Sequence, residues 1–168
     1  MATSTTNLRI QRPSRKPPKS GDVFRLQLPD SSYRFGRVIR TDARWTRAVG
    51  AGPAILIDDY RAASESPDIP AREQLRPDQL LISPVMTNKL PWTRGYFDTM
   101  ENIPLDDDDV LPQHCFSDAA VTGRYFDEMG NTLPGPVEPV GDYGLHSYRT
   151  IDDEISDAIG IPRVPTDP

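Results

Sequence analysis

Side chains able to do chemistry are few in this sequence, and they are clustered. His114 and Cys115 adjoin, and His146 lies within Gly141-Asp-Tyr-Gly-Leu-His-Ser-Tyr148. Carboxylates gather at Asp58 and Asp59, at Asp106, Asp107, Asp108 and Asp109, and at Asp152 to Glu154. A structural zinc needs three or four ligands at suitable spacing, and neither C-x-x-C nor H-x-x-x-H occurs. In an extended chain the adjacent His114 and Cys115 point to opposite faces. No metal and no cofactor is expected. Cysteine catalysis would need a histidine and an orienting acid beside Cys115, which only the distant His146 could bring. Next to Phe116, the cysteine reads as a small core residue. Paired carboxylates do glycosidase-type acid and base work only when they face a cleft at a set separation. The group at Asp152 has a sufficient role in the first turn of a helix. Phosphate-cradling glycine loops are absent. No constellation for an enzyme results, and none is expected.

The elements that would carry these residues are short. Phe24, Leu26 and Leu28 alternate with Arg25 and Gln27, the period-2 pattern of a half-buried strand. After the turn Pro29-Asp-Ser-Ser32, Tyr33, Phe35, Arg37 and Ile39 share one face, so the two runs read as an antiparallel hairpin. Gly36 in mid-strand points to a bulge or to close approach by a neighbour. Ala54 to Ile57 reads as a buried strand that exits at Asp58, Asp59 and Tyr60, and Leu80 to Ile82 as another, closed by Pro84. Trp92, Tyr96 and Phe97 surround Gly95 as a core-capping strand or an interface patch. Asp106 to Asp109 must lie exposed, because adjacent carboxylates cannot be buried unpaired. A hairpin is expected at Tyr125-Phe126 and Thr132-Leu133 around Gly130-Asn131.

The last periodic segment predicts a helix capped by Thr150, with Ile151, Ile155 and Ile159 on one face and Gly160 at its end. The segment before it, Gly141 to Tyr148, then reads as the corner into that helix. Its glycines would lend backbone freedom, Tyr143 and Tyr148 would pack with paired hydroxyls, and His146 would satisfy a local hydrogen bond. With 18 prolines among short strands, the fold class is mostly β (α+β): a twisted antiparallel sheet or small partly open barrel with a C-terminal helix.

Length limits the chain to one domain. Residues 1–19 carry five bases and no acid and read as a disordered basic tail; 20–160 form a single β-rich domain, and 161–168 a Pro-rich tail. The rest holds fourteen bases against 25 acids, a net charge of −11. Such a field disfavours nucleic acid and membrane surfaces and draws a basic protein. One cysteine and no apolar leader read as a soluble, cytoplasmic protein.

The pieces GDVFRLQLPDSSYRFGRVI, ILIDDY, LLISP, WTRGYF, LPQHCF, YFDEMGN and PVGDYGLHSYRTIDDEI, in this order over roughly residues 20–160, together resemble the immunity protein 26 family of bacterial polymorphic toxin systems. The resemblance implies a mostly β protein that binds and neutralises a co-encoded toxin, and it carries over no catalytic residue. A basic nuclease would suit an acidic partner. On that reading Asp58, Asp59, Trp92, Tyr96 and Asp106 to Asp109 are candidates for the binding surface, with acids steering and aromatics anchoring. An SH3-like adaptor for a peptide or protein is the alternative, with a carboxylate-dependent hydrolase behind it.

Overall fold

The computed structural model describes residues 5–165. Two sheets form its framework. The larger contains β1 (Asp22–Gln27), β2 (Tyr33–Ala43), β3 (Ala54–Asp59), β4 (Val85–Thr87) and β5 (Asp98–Asn102), in the antiparallel order β4-β3-β2-β1-β5. The smaller contains β6 (Cys115–Ser117), β7 (Tyr125–Phe126), β8 (Thr132–Leu133) and β9 (Val140–Asp142), in the order β8-β7-β6-β9, with β6 and β9 parallel. A short helix α1 (Leu90–Thr93) and the C-terminal α2 (Tyr148–Ile159) complete it. The fold is mostly β, in two sheets that do not close into a barrel.

The β1–β2 hairpin forms with Phe24 opposite Gly36. Its turn is held by Asp30, whose Oδ1 accepts from the Ser32 N–H at 3.0 Å and hydroxyl at 2.6 Å, while Ser31 takes φ 69°. Alternation then assigns two faces. Phe24, Leu26, Leu28, Val38, Ile55 and Ile57 meet Trp92, Phe97, Ile151 and Ile155 on one. Val23, Phe35, Ile39 and Leu56 lie on the other, against Tyr60, Leu75 and Phe116.

Gly36 is the close approach its position implied. The Phe24 ring lies over it, and a Cβ added there would also sit 2.8 Å from the Asp58 carbonyl oxygen. Phe24 stacks on Phe97 at 4.3 Å and meets Trp92 edge-on at 5.5 Å, so it cannot retreat. Gly36→Ala is expected to cost about 1–3 kcal/mol by overpacking, read as a lower urea midpoint with an unchanged m-value.

Several expectations give way. Leu80 to Ile82 is not a strand: Leu80 makes one isolated bridge to Tyr60, and β4 begins only after Pro84. The helix α2 starts earlier than its acids suggested, capped by Ser147, whose hydroxyl accepts the Thr150 N–H at 3.2 Å; Gly160 closes it at φ 78°. Asp152 is therefore beyond the first turn and almost fully buried.

Its carboxylate instead accepts the N–H groups of Asn7, at 3.0 Å, and Leu8, at 2.7 Å. Leu8 enters the core, and Arg9, Gln11 and Ser14 donate their backbone N–H groups to Gln27, Gly95 and Trp92. Residues 5–18 are thus an arm laid along the body rather than a disordered tail. One apolar anchor and a ladder of backbone bonds hold it, neither of which composition reveals. Residues 1–4 and 166–168 of the two terminal segments lie outside the described residues.

Candidate partner-binding surface

The acidic run is divided by its own backbone. Asp107–Asp109 form one 3-10 turn, in which Asp106 caps the Asp108 N–H and Asp109 accepts the Asp106 N–H at 3.0 Å. One turn points three carboxylates outward and the fourth inward. Asp106, Asp107 and Asp108 are exposed, whereas Asp109 has no accessible surface. This corrects the expectation that all four face water.

The inward carboxylate has partners. Asp109 Oδ2 accepts from Arg72 Nη2 at 2.6 Å, and Oδ1 lies 3.3 Å from Arg37 Nη1. Arg37 stands on the apolar face of β2, fully buried between Phe35 and Ile39, and donates a further bond to the Ile103 carbonyl at 2.7 Å. Burial pushes the Asp109 carboxyl up, but Arg72, the Asp106 N–H and Arg37 outweigh it and hold the group below the usual carboxylate range. Asp109 is a bracket that ties the turn to the sheet.

Asp58 and Asp59 are not on the surface either. Both are buried at the end of β3, on opposite faces, and neither carboxyl finds a side-chain or backbone hydrogen-bond partner among the described residues. Burial pushes Asp58 up to about 7, against the pull of His114 and Arg37. Asp59 is pushed up to about 8 by burial, reinforced by Asp58 and Glu154. Trp92 and Tyr96 are core residues at 2% and 6% exposure, the first against Phe24 and Phe97, the second stacked on Tyr148 at 4.9 Å. Of the eight candidates only Asp106, Asp107 and Asp108 are exposed, and Asp106 also accepts from Arg72 Nη2 at 3.0 Å.

Those three rim an open groove of about 1020 Å³. Asp78 lines it too, Arg76 is the one base in the lining, and Leu105, Val110 and Leu111 supply apolar lining. Sequence reasoning missed Asp78 and the apolar lining. The local signal was the alternation of apolar residues and prolines around the acidic run, in Ile103-Pro-Leu105 and Val110-Leu-Pro112.

The remaining chemistry is dispersed. Cys115 is buried, with the Val137 N–H 3.5 Å from its sulfur. His114 faces Glu128 at 3.5 Å and has no partner on Nε2. Tyr143 and Tyr148 do not meet: Tyr143 stacks on Phe126 at 4.4 Å and Tyr148 on Tyr96. Gly141 serves close packing rather than freedom, since a Cβ there would fall 2.7 Å from the Pro84 carbonyl. Among the described residues no helix is long and apolar enough to cross a membrane.

An open two-sheet scaffold that presents an acid-rimmed groove is the class of protein these features define. The chain belongs to the immunity protein 26 family, whose model matches residues 19–126, well over half of its length. The match takes in both hairpin strands, the Arg37–Asp109 bracket and the groove, and ends before β8, β9 and α2. No curated protein and no solved structure matches the chain.

Proposed function

We propose that this chain is an immunity protein that binds and neutralises a cognate toxin by protein–protein contact, through the groove rimmed by Asp78, Asp106, Asp107 and Asp108. The carrying observation is that combination of exposed carboxylates with an apolar lining on a rigid turn. Carboxylates at the rim accelerate encounter with a basic partner, and desolvated apolar surface at the centre slows its departure. The partner class is a toxin domain with a basic face, for which a nuclease is the natural fit, since its substrate is an anion. Inhibition then needs no catalysis: occupying the basic face excludes the substrate.

Membership of the family and the net acidity of the body support this reading. Coexpression with the toxin encoded beside it is the test. Growth should be rescued by the wild-type chain, and the two purified proteins should form a complex without turnover of the toxin. Rescue accompanied by cleavage or modification of the toxin would turn the reading towards an enzyme.

A further inference from the structure

The segment Gly141 to Tyr148 holds a second arrangement, outside the groove and beyond the family match. Asp142 ends β9, His146 lies in the corner, and Glu154 stands in the second turn of α2. One ligand atom from each lies within 4.8 Å of the other two. They line a separate cavity of about 490 Å³ between β4, β9 and α2.

His146 is placed as metal-binding histidines are. Its side chain is 9% exposed, and its Nε2 lies 3.4 Å from the Asp142 carbonyl oxygen, which fixes the ring when Nε2 carries the proton. His146, Asp142 and Glu154 all line that cavity. Nδ1 is sealed from solvent and makes no aligned hydrogen bond, although Glu154 Oε1 is 3.2 Å away. A cation between them would satisfy both.

The three supports are rigid. The His146 N–H donates to the Met86 carbonyl at 2.8 Å, and its own carbonyl accepts the Thr87 hydroxyl at 2.7 Å, so its backbone is clamped to β4 from both sides. Asp142 pairs with Ser117 in the parallel β6–β9 ladder, where the absent Cβ of Gly141 lets the strand pass against Pro84. Glu154 is set by a helix whose first turn is capped by Ser147. A preorganised set of one nitrogen and two carboxylate oxygens, open on the cavity side, suits a borderline divalent ion.

We infer that Asp142, His146 and Glu154 form a binding site for a divalent transition-metal ion, with zinc the best match to one imidazole and two carboxylates. Its fourth position faces the cavity and takes water. The ion ties β9 and the corner to α2, joining the smaller sheet to the helix that covers the larger one.

The test is a calorimetric titration of chelator-treated full-length protein with zinc chloride, together with thermal melts. Wild-type protein should bind one zinc ion and melt at higher temperature with zinc present. His146→Gln and Glu154→Gln should each weaken binding by about 10-fold or more and lose the zinc-dependent shift in melting. Glu154 is partly exposed, so its variant should fold even if the histidine variant does not. Asp107→Asn, in the other groove, should bind zinc as the wild type does. Absence of one-to-one binding, or binding that survives Glu154→Gln, would overturn the site.

Discussion

Asp109→Ala should destabilise the protein by about 3–5 kcal/mol, because it removes one partner of a buried ion pair and leaves the other charge behind. Arg37 is at 0% exposure in the middle of the sheet, and Asp109 is the carboxylate that faces its Nη1 at 3.3 Å. Arg72 loses its shortest bond, at 2.6 Å, in the same step. The capping of the 3-10 turn fails too, since Asp109 accepts the Asp106 N–H. Asp108→Ala, one residue away and exposed, should stay within about 0.5 kcal/mol. Urea unfolding of the two variants is the comparison, and an equal small loss in both would refute the bracket. Replacing both ends, as Arg37→Met with Asp109→Leu, should recover part of the loss, because no unpaired charge is then buried.

The second large effect is on pH. The buried Arg37 guanidinium pairs with Asp109, which Arg72 also holds ionised, and acts on Asp58 only as a nearby charge. Asp58 is left to keep its proton, which burial favours, and its folded value rises from 3.8 to about 7. Between those values the folded chain holds a proton that the unfolded chain has released. The resulting stability is complete below about pH 4, declines as pH rises towards 7, and is absent above it. Asp109 has the opposite sign: its contribution is present above the ordinary carboxylate range and fades as pH falls below it. Stability should therefore peak in mildly acidic solution. Asp58→Asn, which mimics the protonated group, should match the wild type near pH 4 and exceed it at pH 9 by up to about 4 kcal/mol. Chemical unfolding at the two pH values decides it, and an Asn variant that is weaker at pH 9 would show that the fold stabilises the ionised Asp58 carboxylate instead of penalising it.

Both effects turn on residues whose burial the local pattern did not show, and the contrast with what was legible is instructive. The β1–β2 hairpin, the Gly36 contact, the Tyr125–Leu133 hairpin and the apolar face of α2 each depend on residues a few positions apart, so periodicity and turn chemistry disclosed them. Asp58, Asp59 and Asp109 read as surface residues in the sequence, because carboxylates usually are. The burial of Asp109 depends on Arg37 and Arg72, which are far from it in sequence and next to it in space. A trace of this was present: Arg37 lies in the stripe Tyr33, Phe35, Ile39, and a base on an apolar face demands a buried acid. Trp92 and Tyr96 read in the sequence as either core or interface; the edge contacts of Trp92 with Phe24 and Phe97, and the stacking of Tyr96 on Tyr148, put both in the core. The arm at residues 5–18 had no signal, since its bonds run to residues distant in sequence, such as Asp152, Gln27 and Gly95. The trio Asp142, His146 and Glu154 escaped a search for cysteine and paired-histidine spacing because two of its three members are carboxylates on different elements.

The central claim is that exposed acids on the 3-10 turn guide a basic toxin into the groove. Its most direct measurement is the association rate of the purified toxin with the wild-type chain and with Asp106→Asn/Asp107→Asn/Asp108→Asn, taken across a range of salt concentrations. The triple variant should fold normally, associate about 10-fold more slowly at low salt, and show a flatter dependence on ionic strength, with a smaller change in dissociation. Association rates that coincide at every salt concentration would contradict the claim and move the binding surface elsewhere on the molecule.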